Sequence, residues 1–134
     1  MADMTTERLF LALAALLGGT AVATGAFATH TLRGQLSPRL LEVFETGSRY
    51  QMYHALALAA VGLALAMSLG HGVWLRVSGW ALVLGTLTFS GSLYALSLSG
   101  IGVLGAVAPL GGVMLMVGWA CFGVAVCLGV SPTP

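Results

Sequence analysis

The fold is decided by residues 77–98, which read VSGWALVLGTLTFSGSLYALSL. This stretch contains no charged side chain, and no charged residue occurs anywhere after Arg76. A water-exposed surface of that length without charge would aggregate. About 20 apolar residues in an α-helix cross the roughly 30 Å hydrocarbon core of a bilayer. The stretch therefore predicts a transmembrane helix.

The composition of the whole chain extends this prediction. Of its 134 residues, 58% are hydrophobic and 7% are charged, whereas an ordinary soluble domain carries roughly 25% charged residues. A chain this short has too little interior to hide so much apolar surface from water. The sequence therefore predicts an integral membrane protein. The chain has no lysine and a net charge of +1, which excludes a basic surface for nucleic acid.

Three further apolar stretches are long enough to cross a membrane, and a polar segment separates the first two. Within that segment Ser37-Pro38 marks a helix start, with serine as N-cap and proline at the first helical position. We predict an all-α membrane protein with one domain over 1–134. It is a compact bundle of four transmembrane helices, with a short amphipathic interfacial helix between the first and second. The predicted spans are about 9–29, 50–70, 77–98 and 109–130, and the interfacial helix is about 38–49.

The arginines near the ends of the spans favour one orientation. With four spans, Arg8 and Arg76 lie on one side of the membrane, and Arg33, Arg39 and Arg49 lie on the other. Cytoplasmic loops carry the excess of Lys and Arg. The count favours a cytoplasmic segment 30–49.

The first apolar stretch also has the outline of a signal peptide, because an A-x-A pattern follows it at residues 26–28. Against that reading, the preceding segment holds Asp3 and Glu7 beside Arg8, so it lacks the positive charge of a signal peptide. We expect an uncleaved helix.

A first candidate site lies at the start of the second span. Glu45, Arg49 and Tyr53 are four residues apart and share one helical face, with Glu42 one turn before Glu45. An arginine beside hydrocarbon needs a carboxylate or a headgroup phosphate. We therefore predict that Arg49 contacts Glu45 or Glu42. The cluster is either a structural anchor for the span or a binding site for a lipid, a quinone or a partner subunit.

Two histidines add to this candidate site. His30 and His54 are expected near the same membrane face, with His54 pointing towards His30. Facing histidines can ligate a haem iron or relay protons. However, the chain has no C-x-x-C-H motif, and a hydrogen bond from His54 to a neighbouring carbonyl or to Tyr50 is the favoured reading.

A second candidate site is a polar stripe on the third span, formed by Thr86, Ser90, Tyr94 and Ser97. Inside a membrane such a stripe faces other helices or a water-filled cavity. Interhelical hydrogen bonding is the favoured reading, and a conducting path is the alternative. Small residues at Ala15, Gly19 and Ala23 form a further stripe, which lets helices approach closely.

The sequence contains no nucleotide-binding loop, catalytic triad or zinc-binding pattern, and without lysine it cannot form a phosphate loop. Cys121 and Cys127 point about 240° apart on a helix, so they are read as buried apolar filler. We predict that the protein is not an enzyme and has no cofactor and no metal.

Several segments resemble a known family of membrane proteins. GAFATH at 25–30 is similar to that family's GAFGAH. LSPRLLEVFETGSRYQMYHALAL at 36–58 resembles its longest signature, and FSGSLYAL (89–96) and LGAVAPLGGVMLMVGW (104–119) match two further blocks. The chain is identified as a member of the YgdD-like group, found in bacteria and mitochondria and without an established activity. The resemblance implies a helical protein of the bacterial inner membrane. It departs from the family pattern at Ala28, Thr29 and Thr31, where smaller residues are usual.

These observations favour a non-catalytic protein that binds a partner, as an accessory subunit of a larger membrane assembly. The alternative is a small transporter or channel component that uses the polar stripe. The expected partners are membrane lipids and either another protein or a second copy within the membrane, and no nucleic acid.

Overall fold

The computed structural model describes residues 4–129, and over that range the chain is all-α, as predicted. Its four α-helices are α1 (Thr6–Phe27), α2 (Pro38–Ala66), α3 (Gly72–Ser99) and α4 (Ala108–Leu128). A π-helical turn, Ala28–Leu32, extends α1, and a 3₁₀ turn, Gly102–Ala106, precedes α4. Three helices are long and apolar enough to cross a membrane: Thr6–Leu32, Gly72–Ser99 and Gly102–Leu128. The predicted fourth span ends at residue 130, which lies outside the described residues.

The second helix differs from the prediction of a separate interfacial helix and span. Residues 38–49 and the apolar residues after them form one continuous helix of 29 residues. It begins as the sequence indicates, with Pro38 in its first turn and the Ser37 hydroxyl accepting from the Leu40 N–H at 3.3 Å. No proline interrupts the helix, and Gly47 within it is packed against Tyr94. Helix α2 is not one of the three long apolar helices, because the mostly polar residues 49–54 lower its hydropathy.

The four helices pack mainly in chain order. Helix α2 lies between α1 and α3, and α3 also packs along α4. Helix α1 meets α3 near its own start, where Phe10 is fully buried against Gly79 and its ring lies edge-on to Trp80, with 5.5 Å between ring centroids. Among the described residues, α1 and α4 share no substantial contact. The described helices therefore form an open row that curls at one end, and buried residues of all four helices share one core.

Helices α3 and α4 approach each other closely because glycines line their contact. A Cβ atom at Gly111 would overlap the backbone of Phe89, and one at Gly118 would come within 2.8 Å of the Leu82 side chain. The Ser78 hydroxyl uses this closeness to donate to the Gly118 carbonyl at 2.7 Å. Small residues at helix contacts are the usual means of tight packing in membranes, where no hydrophobic effect drives helices together.

Candidate functional site

A buried glutamine joins the first three helices. Gln51 on α2 is 6% exposed, and its Nε2 donates to the Leu17 carbonyl at 2.8 Å and to Thr20 Oγ1 at 2.7 Å, both on α1. Its Oε1 accepts from the Tyr94 hydroxyl of α3 at 2.8 Å. The amide nitrogen therefore makes two hydrogen bonds to α1, and the amide oxygen makes one to α3.

The hydrogen-bond network continues from Tyr94 towards the end of α1. The Tyr94 hydroxyl lies 3.2 Å from Thr24 Oγ1, which lies 3.1 Å from Ser48 Oγ on α2. Ser48 is buried and donates to the Ala21 carbonyl at 2.9 Å. These polar contacts between the helices are thus made by amide and hydroxyl groups and not by charged pairs. Burial of uncharged, hydrogen-bonded groups costs less than burial of charges where the dielectric constant is low.

An uncharged groove of about 360 Å³ lies beside this network, between α1 and α3, with α2 as its floor. Leucines form its rims, and the 61% exposed Leu16 and the 57% exposed Leu87 stand on opposite sides. The polar groups that line it are Thr20, Thr24, Gln51, Thr86, Ser90 and Tyr94. Such a groove fits apolar molecules that carry a few uncharged hydrogen-bonding atoms.

The polar stripe predicted on α3 faces neighbouring helices along most of its length. Tyr94 belongs to the network, and Ser90 Oγ donates to the Gly47 carbonyl of α2 at 2.7 Å. Ser97 is buried and donates to the Leu93 carbonyl of its own helix at 2.8 Å. Thr86 is 1% exposed, and its Oγ1 has no hydrogen-bond partner among residues 4–129.

The charged cluster predicted at the start of the second span does not assemble around Arg49. Its Nη2 donates to Thr46 Oγ1 at 3.1 Å, on the same helix, and not to a carboxylate. Glu45 and Arg49 line the same shallow groove of about 200 Å³ without a hydrogen bond between them, whereas Glu42 lines a separate groove of about 270 Å³. Tyr53 is 55% exposed. Arg49 is exposed. Its long side chain can carry the guanidinium to the headgroup region, so the charge needs no carboxylate partner.

The two histidines point in different directions. His54 Nδ1 lies 2.6 Å from the Tyr50 carbonyl, in line with the favoured hydrogen bond, and its ring lies edge-on to Trp119 of α4. The predicted approach of His54 to His30 is therefore wrong, because His54 faces α4 while His30 is exposed in the π-helical turn after α1. Across residues 4–129, no three His, Cys, Asp or Glu side chains are placed to hold a metal ion.

Four network residues were not singled out from the sequence: Thr20, Thr24, Ser48 and Gln51. A signal for them existed, because Thr20 and Thr24 are one turn apart in an otherwise apolar span. Ser48 and Gln51 are likewise three residues apart on one face of α2. Ser48 and Gln51 stand close in sequence to Glu45 and Arg49, whose charges are the stronger signal in that segment.

The fold and this site define the class of the protein: an α-helical membrane protein whose helices are joined by an uncharged polar network. A family model described as "Protein of unknown function (DUF423)" matches residues 24–112. The chain is 41% identical to UPF0382 membrane protein YwdK of Bacillus subtilis, over 84% of this chain and 90% of that protein. It is 44% identical to UPF0382 membrane protein SAB0533 of Staphylococcus aureus, over 84% and 89%.

The chain belongs to this family of membrane proteins of unknown function. No solved structure matches it. The matched range contains much of the network, including Thr24, Ser48, Gln51 and Tyr94, and ends just after the glycine contact of α4 begins.

Proposed function

We propose that the protein is a non-catalytic membrane subunit that binds a partner helix along the outward face of α1. The observation that carries this proposal is Gly19, which lies on that face with Ala15 and Ala23, all three exposed. No atom of the described residues lies within 4 Å of a Cβ added at Gly19. Glycine costs a helix up to about 1 kcal/mol relative to alanine. A small-residue face lets a second helix approach closely, which would offset that cost.

The open row of helices supports the same proposal. Within residues 4–129, helix α1 has no substantial contact with α4 that would close the row, so its outward face is available within the membrane. The groove beside α1 contains no charged or nucleophilic pair that would indicate catalysis. Binding therefore fits the surfaces of the described chain better than chemistry does.

Isolation from native membranes in a mild detergent tests this function. We expect a stoichiometric complex, with another protein or a second copy, that persists in native mass spectrometry. Gly19→Leu should dissociate it, whereas Gly123→Leu, at an exposed glycine of α4 that also has open space around it, should not. A monodisperse wild-type monomer, or equal effects of the two variants, would contradict the proposal.

We also propose that α2 is a fourth span, as the sequence predicts. With 29 residues it is roughly 43 Å long at about 1.5 Å per residue, enough to cross the hydrocarbon core. It packs between two apolar helices, and its polar residues Ser48, Gln51 and His54 are buried. Such burial satisfies the rule that polar side chains in a membrane face other helices.

Labelling of single cysteines tests the fourth span. In a background with Cys121→Ala and Cys127→Ala, cysteines at Gln35 and Leu69 mark the two ends of α2, and both positions are exposed. A membrane-impermeant maleimide should label the two positions from opposite sides of sealed vesicles. Labelling of both from one side would place α2 along the membrane surface.

A small transporter remains the second candidate, because Thr86, Ser90 and Tyr94 of the predicted stripe line the groove. The hydrogen bonds of Ser90 and Tyr94 to α2 count against a continuous wet path. Solute flux in reconstituted liposomes that is lost in the Ser90→Ala/Tyr94→Phe double variant would favour transport. The absence of flux from the wild type would remove this candidate.

We place the protein in the bacterial inner membrane, since its relatives YwdK and SAB0533 are bacterial membrane proteins and outer-membrane proteins are typically β-barrels. Its four quoted sequence blocks make the YgdD-like group our proposed name for the wider family.

A further inference from the structure

The groove between α1 and α3 is closed at both ends. At one end Phe10 of α1 packs against Gly79 of α3. At the other end the Tyr94 hydroxyl meets Thr24 Oγ1 at 3.2 Å. Because the floor is α2, the groove opens only sideways, between the exposed Leu16 and Leu87. The surroundings at that opening are hydrocarbon chains rather than water.

The end of the groove that Leu16 and Thr86 line lies at the middle of the helices, whereas Thr24 and Tyr94 line its other end, nearer the C-termini of α1 and α3. Leu16 is near the centre of α1, and Thr86 is near the centre of α3. A hydrocarbon core about 30 Å thick puts this level about 15 Å from either headgroup region. A phospholipid cannot bring its polar atoms so deep, because its charged headgroup stays at the interface.

Thr86 stands out among the hydroxyl groups of the three helices. Thr20, Thr24, Ser92, Ser97 and Ser99 donate to carbonyls three or four residues earlier in their own helices. Thr86 Oγ1 has no partner among the described residues, although its residue is 1% exposed and lines the groove. A buried hydroxyl without a partner costs about 1–3 kcal/mol. An unpaired donor at such a depth indicates a ligand that carries the acceptor.

We propose that this groove binds a neutral, lipid-soluble molecule with a carbonyl oxygen, such as an isoprenoid quinone or a diacylglycerol, and that Thr86 donates to that oxygen. The lining residues carry no charge, so they match a neutral ligand. The volume of about 360 Å³ falls in the range of small-molecule sites, about 300–1,000 Å³. Thr86 lines the groove while its Oγ1 atom is buried, so the proposed hydrogen bond requires rotation of the side chain about the Cα–Cβ bond.

A second protein helix fits this groove less well than a small molecule does. A transmembrane helix would have to pass the closed ends at Phe10–Gly79 and Tyr94–Thr24, whereas a small ligand enters between them. The site is separate from the outward face of α1 proposed above for a partner. Gly19→Leu should therefore leave ligand binding unchanged, and the two proposals can fail independently.

Substitution of Thr86 by valine distinguishes a ligand site from a structural residue. Valine replaces the hydroxyl with a methyl group of nearly the same size, and it removes an unpaired polar group. We expect ligand-free Thr86→Val to melt at or above the wild-type temperature in detergent. A residue that only held the helices together would lower the melting temperature when altered.

The binding test uses delipidated full-length protein, with decylubiquinone and dioleoylglycerol as separate probes. We expect at least one of them to form a 1:1 complex in native mass spectrometry and to raise the melting temperature. Thr86→Val should weaken that binding about fivefold, the loss of one hydrogen bond. The probe that binds more tightly identifies the source of the carbonyl group.

Two variants serve as controls. Thr88→Val makes the same chemical change two residues along α3, outside the groove, and should bind like the wild type. Gly91→Leu adds a side chain at a groove position with open space around it, and should abolish binding.

Several results would overturn the proposal. Equal stabilisation of the wild type by dioleoylphosphatidylcholine and by the neutral probes would show that acyl chains alone cover the groove. Equal binding by Thr86→Val and Thr88→Val would show that the hydroxyl is not used. Failure of both neutral probes, or complexes that contain only a second copy of the chain, would also refute it.

Discussion

Gln51 shows how one side chain can order three helices in a medium without water. Its amide reaches α1 through Leu17 and Thr20 and reaches α3 through Tyr94. The sequence predicted Tyr94 as part of a polar stripe but did not predict its partner. Partners of this kind come from different helices, and their contact depends on how each helix is rotated, which residue types alone do not determine.

Removal of this amide should loosen the packing of all three helices. Gln51→Leu keeps the approximate size but removes the three interhelical hydrogen bonds to Leu17, Thr20 and Tyr94. At about 0.6 kcal/mol for each interhelical contact, we expect a loss of about 2 kcal/mol. Reversible unfolding in mixed detergent micelles measures this free energy.

The chain supplies a matched control for that measurement. Gln35 is exposed in the segment between α1 and α2, so Gln35→Leu should change the free energy of unfolding by less than about 0.5 kcal/mol. Similar losses for the two variants would mean that the hydrogen bonds of Gln51 contribute nothing to stability.

Arg49 leads to a more modest expectation than its sequence context suggests. Since it donates to Thr46 of the same helix and is exposed, Arg49→Ala should destabilise the protein by less than about 1 kcal/mol. Arg76→Ala, at another exposed arginine, is the comparison, and thermal unfolding in detergent should place the two variants close together. A much larger loss of stability for Arg49→Ala than for Arg76→Ala would support the contact between Arg49 and a carboxylate that the sequence predicts.

At the scale of elements, long apolar stretches were enough to predict where helices occur. The stretches 9–29, 77–98 and 109–130 overlap α1, α3 and α4, and Ser37-Pro38 marked the start of α2. The length of α2 was not predicted, because its sequence changes from polar to apolar while the helix continues unbroken. The face of α4 that contacts α3 was also not predicted, because apolar residues occur on all sides of α4 and give no periodic signal.

Two adjacent glycines of α4 test this contact face directly. A methyl group at Gly111 would overlap the backbone of Phe89, which cannot rotate away, whereas one at Gly112 would lie 3.9 Å from the Phe89 ring. Gly111→Ala should therefore separate α3 from α4 and cost at least about 2 kcal/mol. Gly112→Ala should be neutral or slightly stabilising, because alanine is the better helix former.

Comparison of the two variants by thermal unfolding controls for the gain in helix propensity, which both share. Equal melting temperatures would show that α4 is rotated by at least one residue relative to the contact described here.

At the scale of the whole molecule, the contact of Phe10 with α3 bends the row of helices and brings α1 against α3. Phe10 is fully buried, and it meets α3 at Gly79 and Trp80. The sequence predicted a compact bundle of four transmembrane helices from its four apolar stretches. It could not predict an open row, which depends on the absence of substantial contact between α1 and α4.

Phe10→Ala should release α1 from α3 at this end. In water-soluble proteins such a change costs about 3–5 kcal/mol, but in lipid the transfer part of that cost is absent and packing remains. We expect a loss on the order of 2 kcal/mol. Phe27→Ala, at a phenylalanine that is 43% exposed, should cost less than half as much in the same unfolding experiment.

The packing of each helix on its chain neighbour has a consequence for biosynthesis. As the ribosome releases the chain, α2 can dock on α1, and α3 on α2, without waiting for a later segment. The bonds among Thr20, Gln51 and Tyr94 need only the first three helices. The insertion machinery can therefore release a membrane-embedded intermediate in which the hydrogen bonds of Gln51 are already made, before α4 leaves the exit tunnel.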